Sequence, residues 1–350
     1  MARRWPLILP AVSALLFLTA APALACGGLI GPNGAVNLLR TTTFAGYHDG
    51  VEHYVTAFEY AGGGGAFGSL TPLPGVPTNV EKGGDWTLQR LIRETDPQPV
   101  FAEDASRLSA AGSAEELFKV RIDALDLTVL RGGGAEVGTW AADHGFRLPP
   151  DAPEVLDFYA SRSPIFLAAA FDPTAAAERG QAVGDGTPVH ITIPTPNPWV
   201  PLRILALGKA GEDRVDADIY LLTDRRPALL PAPTGRNGIS LAHSLQATDS
   251  LLADLRADRG MDWVGGSGWL TKIEVGATAD QLRYDLAIDA SGQDAPSRVQ
   301  AGLDIAAASD PNGGVNVGRL AIAAGLVVAG WALLALLMTL RPAGGRTVPG

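Results

Sequence analysis

The sequence predicts a β-rich α+β domain outside the cytoplasm, with a few short helices and one C-terminal transmembrane helix. Three observations carry that reading. An export signal opens the chain, strand patterns outnumber helix patterns through the middle, and an uncharged apolar run lies near the end.

Residues 1–25 have the parts of a signal peptide. Arg3 and Arg4 supply positive charge, Leu7 to Leu18 an apolar stretch, and Ala23-Leu24-Ala25 a small-residue cleavage pattern. The apolar stretch covers roughly 18 Å as a helix, against ~30 Å for a hydrocarbon core, so a retained anchor fits poorly. Cleavage after Ala25 leaves Cys26 first in the mature chain. Its context points two ways. A leading cysteine invites acylation, whereas Leu24 two places before it and the Ala-x-Ala pattern suit ordinary processing.

Residues 320–340, LAIAAGLVVAGWALLALLMTL, carry no charge. As a helix they extend roughly 31 Å, the thickness of a bilayer core, with every backbone group satisfied internally. Arg341 and Arg346 favour a cytoplasmic tail, residues 341–350; Arg319 on the other flank weakens that bias without reversing it. The expected topology is single-pass in the cell membrane, body outside, with the lipid bilayer as the first partner. Residues 289–319 are small, polar and without a sustained period, which reads as a flexible stalk of about 30 Å. A short helix near residues 299–307 is the alternative there.

The exported body, residues 26–288, belongs to a chain that is 47% hydrophobic and 18% charged, a globular composition. Net charge is −10 with scattered arginines, which argues against nucleic acid as a partner. One cysteine allows no intramolecular disulfide and no cysteine-based zinc site.

Within the body, TTTFAGYH and VEHYVTAFEY flank Asp49-Gly50, the dipeptide of a type I′ hairpin turn. That register sets His48 against Val51, Tyr47 against Glu52 and Gly46 against His53. SLTPLPGVPTNV reads as an extended, irregular edge because of its prolines and glycines. Asp85 is the expected N-cap of a helix, WTLQRLIRET, closed by Asp96-Pro97. Residues 118–130 alternate as one strand, ended by Gly132 to Gly134. Residues 135–144 and 152–161 read as two short helices, with Pro153 in a first turn. Strands are expected at 164–171, 188–193, 202–207, 215–223, 269–275 and 283–288. An amphipathic helix over 247–258 presents Leu251, Leu252 and Leu255 on one face and stops at Gly260. The helices do not alternate strictly with the strands, which is the α+β pattern.

The order of segments resembles the bacterial family called domain of unknown function 2330. The matching pieces are ACGG from Ala25, LTPLPGVP from Leu70, and EVGTWAADHGFRLPPDAPEVLDFYASRSPIFLAAAF from Glu136. TPVHITIP from Thr187, VPLRILALG from Val200 and GWLTKIEV from Gly268 complete them. The resemblance spans nearly all of the body. It implies more cysteines just after the first, which this chain lacks, so no disulfide is carried over. It supplies no activity, and no catalytic residue transfers.

Linear catalytic signatures are missing: there is no GxSxG, HExxH, P-loop or helix-opening GxGxxG, and GGSG at Gly265 to Gly268 reads as a turn. His48 and His53 share one sheet face as diagonal neighbours, the best metal candidate, with Asp49 nearby and Glu52 on the opposite face. Zinc needs three or four ligands, so the favoured reading is a solvated hairpin face with no metal. Calcium candidates, Asp216 with Asp218 and the stretch from Asp310 to Asn316, do not match a ligand loop. His190 alternates with Val189 and Ile191, the pattern of a surface residue on a half-buried strand. Trp199 is either an exposed contact for a protein or glycan, or packing for its proline-rich loop, and packing is favoured. Arg225-Arg226 reads as a solvated turn. No catalytic, cofactor or metal residue is assigned. The expected function is a non-catalytic binding or scaffold ectodomain of the bacterial envelope; the alternative is a membrane-tethered hydrolase or metal-dependent enzyme without a linear motif.

Overall fold

The computed structural model describes residues 28–32, 34–35, 41–59, 66–96, 118–180 and 186–303. The signal segment, Cys26, the expected membrane span, the tail and the Asp310 to Asn316 stretch lie outside the described residues. Among those described, no helix is long and apolar enough to cross a membrane.

Asp49 and Gly50 both take positive φ, and the strands they join pair in the expected register, His48 to Val51 and Gly46 to His53. These strands, β3 (Thr41–His48) and β4 (Val51–Glu59), sit at the centre of a seven-stranded sheet. Beside β4 come β10 (Gly186–Pro194) and the short edge β6 (Asn79–Lys82). Beside β3 come β12 (Arg214–Thr223), β15 (Trp269–Thr278) and the other edge, β14 (Ile239–Gln246). Only β3 and β12 run parallel among its described pairs.

A six-stranded sheet orders β2 (Gly34–Ala35), β1 (Gly28–Gly31), β5 (Phe67–Pro72), β9 (Ile165–Phe171), β8 (Leu125–Arg131) and β7 (Phe118–Ile122). A small third sheet joins β11 (Trp199–Val200), β16 (Leu286–Asp289) and β13 (Ala228–Leu230). With sixteen strands and five α-helices among the described residues, the fold is a β-rich α+β domain.

One face of the seven-stranded sheet carries α1 (Thr87–Thr95) and α5 (Asp249–Ala257). Leu88 and Leu91 of α1 and Leu251, Leu252 and Leu255 of α5 pack on Phe44, Val55, Tyr220, Leu222 and Leu270 of the strands. Each fully buried leucine contributes about 2 kcal/mol by leaving water, which outweighs the modest propensity of such short helices. The other helices are α2 (Gly134–Asp143), α3 (Ala152–Ala160) and α4 (Pro173–Glu178).

Several expectations need correction. Residues 118–130 form two strands, because Asp123 adopts φ +53 and reverses the chain, held there by Lys82 Nζ at 2.6 Å. The segment read as an irregular edge is irregular over 73–78 and enters the edge strand β6 at Asn79, but its first residues belong to β5, an interior strand between β1 and β9. Residues 202–207 hold a 3-10 turn, Arg203–Ala206, because the Leu202 and Arg203 amides turn inward to donate to Asp285. Asp85 does not cap α1. Asp258, from beyond the end of α5, accepts from the backbone amides of Asp85, Trp86 and Thr87 and from the Thr87 hydroxyl, so the cap is long-range. The first part of the stretch read as a stalk packs on the body: Ala301 is buried and its carbonyl accepts from the Asp285 amide.

Candidate functional site

β4 places His53 on the helix-covered face, one step along from Val55, whose partner on β10 is His190. His190 in turn lies directly across from Glu81 of β6. Three neighbouring strands therefore align a carboxylate and two imidazoles on one face. Glu81 Oε1 is 3.2 Å from His190 Nδ1, and His190 Nε2 is 3.0 Å from His53 Nδ1. A carboxylate only accepts, so His190 carries its proton on Nδ1 and offers the Nε2 lone pair to the His53 N–H. Trp263 covers the row, its ring 4.0 Å from that of His53 and nearly parallel to it.

Small residues make this stacking possible. A β-carbon at Gly46, beside His53 in the hairpin, would come within 2.1 Å of the Trp263 ring. At Gly260, which adopts φ +72, one would lie 2.8 Å from His190 Nδ1. This covering turn corrects the reading of His190 as a surface residue: it is 3% exposed. Alternation along β10 shows which residues share a face, but not that His190 is covered there while Pro188 and Thr192 on either side stay part-exposed. Burial, His190 and His48 push His53 down to about 3. Burial also lowers His190, against an opposing pull from Glu81 and Asp262.

His48 shares the face of His53, as the register requires, yet the two do not converge. Its Nδ1 lies 2.8 Å from Asp224 Oδ1 and its Nε2 3.4 Å from Asp49 Oδ2. Tyr47, His48, Asp224, Trp263 and Ser267 line a shallow depression. Among the described residues, no group of three or more His, Cys, Asp or Glu converges as a metal centre.

The remaining candidates have structural employment. Asp216 pairs with Arg214 at 2.7 Å, and Asp218 faces Lys272 at 3.6 Å. Trp199 is fully buried and stacks on Tyr159 at 5.7 Å, which is the packing role favoured from sequence. Arg225 and Arg226 are exposed. Glu52 points away from the histidines, as expected, into a fully buried environment where neither oxygen has a hydrogen bond of good geometry. Burial pushes it up to about 8, against a smaller opposing effect of the Trp199 backbone.

The profile of the bacterial family described as "Uncharacterized protein conserved in bacteria (DUF2330)" matches residues 20–288. The chain belongs to this family. The match takes in both large sheets, the histidine row and the Trp263 turn that covers it. No curated protein matches the chain. Among solved structures, baculovirus P35 is similar at 9% identity with a TM-score of 0.39, covering 72% of this chain and 96% of its own. The caspase-8/P35 complex gives 9% identity and a TM-score of 0.38, covering 71% and 95%. Likeness at that level supports no inference about this chain's activity.

Glu81, Asp224, Asp258 and Trp263 were not singled out from sequence. Their partners lie 109 to 176 residues away for Glu81, Asp224 and Asp258, so no local spacing marks them.

Proposed function

We propose that this protein is a non-catalytic binding ectodomain of the bacterial envelope, held at the cell membrane by residues 320–340 and engaging a protein partner through the β14 edge. The carrying observation is the contrast between the two edges of the seven-stranded sheet. β6 is four residues long and bears Glu81 and Lys82, the charged guard that discourages strand addition. β14 is eight residues long, ISLAHSLQ, without Lys, Arg, Asp, Glu or Pro. Leu241 and Leu245 on it are 43% and 60% exposed; among the described residues β15 is its strand partner, and a single bridge from Thr234 to Ser240 touches its outer side. An edge without charged guards, interrupted by the register shift between Leu241 and His243, still offers accessible leucines to an added strand, with backbone bonds supplying affinity and the leucines selectivity. A protein partner is preferred to a glycan because Trp199, the aromatic considered for sugar contact, is buried.

A photocrosslinking residue at position 245 should yield one discrete envelope adduct in the producing bacterium, lost with Leu241→Lys. Deleting residues 320–340 should release the body from the membrane fraction. No adduct, or a body still membrane-bound without that segment, would defeat the proposal.

A membrane-tethered hydrolase is the second reading. One observation favours it: Asp224 orients His48 beside a depression that Ser267 also lines. Labelling by a fluorophosphonate that disappears in Ser267→Ala would establish it in place of the first.

A further inference from the structure

We propose that His53 and His190 form the protein half of a binding site for a divalent transition ion of the zinc–copper class. The argument starts from the spacing of their nitrogens. Two imidazoles on one tetrahedral zinc, with bonds of about 2.0–2.1 Å, place their donor atoms about 3.3 Å apart. His53 Nδ1 and His190 Nε2 stand 3.0 Å apart in a hydrogen bond, so an ion enters once that bond breaks, the nitrogens part by a few tenths of an ångström and the rings turn their lone pairs toward one point.

The surroundings match what ligating histidines require. A bound imidazole usually donates its second N–H to a carboxylate, which fixes its tautomer and strengthens it as a donor. Glu81 does this for His190 already, leaving the Nε2 lone pair aimed at His53. His53 needs only to move its proton to Nε2 to present Nδ1, with no net proton released. Trp263 covers one face of His53 and gives the pair a partly apolar roof. Glu81 is 42% exposed at its side chain, so solvent reaches the edge of the site. Among the described residues the protein supplies two ligands, short of the three or four zinc commonly takes, so the site requires water or a second molecule at the remaining positions. Imidazole donors favour copper, zinc and nickel over magnesium and calcium, which take oxygen ligands. The site differs from the pair suggested by sequence: His48 is held by Asp224 and takes no part.

The test is titration of the detergent-solubilised full chain with ZnCl2 and CuCl2, with MgCl2 as control. One equivalent should bind, with copper tighter than zinc and magnesium silent. His53→Gln and His190→Gln should each weaken zinc at least tenfold, Glu81→Gln about tenfold or more, and His48→Gln should leave it unchanged. Because His190 is buried, the variant at the less buried His53 carries the decision if His190→Gln fails to fold. A second readout is melting temperature, raised by zinc in the parent chain and not in His53→Gln. Zinc bound as tightly by His53→Gln as by the parent, or no binding below millimolar concentration, would overturn the site.

Discussion

Asp285→Ala is expected to destabilise the body by about 5 kcal/mol, more than Arg162→Met, which should cost about 3. The two side chains form an ion pair at 2.6 Å with no exposure on either side. A buried pair by itself is weak evidence of stability, since desolvating two charges offsets most of their attraction. The asymmetry lies in what else Asp285 does. Its Oδ1 accepts from the Tyr159 hydroxyl and from the Leu202 and Arg203 amides at 2.7 to 3.0 Å. Removing the carboxylate leaves the guanidinium with the Phe158 and Gln300 carbonyls but no counter-charge, and orphans three further donors from other segments. Removing Arg162 leaves the carboxylate with its three remaining donors, while Phe158, Tyr159 and Trp199 lose a cation held 4.1 to 5.1 Å from their rings. Urea denaturation of both variants and the double variant checks the ranking. Equal costs, or a larger one for Arg162→Met, would mean that the ion pair and not the amide network holds this corner.

How much of this was legible in the sequence depended on range. The Asp49-Gly50 hairpin was readable to the residue because its turn needs positive φ at two adjacent positions, and β9, β10, β12 and β15 followed from apolar runs. β14 was not, because ISLAHSLQ at an open edge carries no steady alternation and contains a register shift between Leu241 and His243. The helix at Thr87 was legible from its apolar face, whereas its cap was not, since Asp258 lies more than 170 residues away. The candidate site failed for the same reason. Strand pattern put His53 and His190 on strands but gave Glu81 no place, and no sign that β4, β10 and β6 would lie side by side or that Gly260 and Trp263 would cover them. Pairing order is a property of the whole chain, and periodicity reports only which residues share a face.

Stability should peak between about pH 4.5 and 6.5, and Glu52→Gln should abolish the fall on the alkaline side. Glu52 and His53 are consecutive residues on opposite faces of β4, and both are displaced toward their neutral forms. Unfolding lets Glu52 lose its proton above 4.5, while in the fold it holds that proton up to about 8. The folded state therefore binds more protons across that window, and stability falls as pH rises through it. His53 acts in the opposite sense. Unfolded, it gains a proton below 6.5; folded, it stays neutral down to about 3, so stability falls as pH drops through that range. Between 4.5 and 6.5 the two slopes oppose each other, which places the maximum there. The alkaline limb is steeper to test because Glu52 is fully buried: at about 1.4 kcal/mol per pH unit, its cost reaches at most about 5 kcal/mol by pH 8. Glutamine reproduces the neutral acid in size and polarity, so the variant should match the parent below pH 4.5. It should exceed the parent by several kcal/mol at pH 8. Urea midpoints from pH 4 to 9 decide the matter. An alkaline slope that survives in Glu52→Gln would assign the loss to another group and leave Glu52 ionised within the fold.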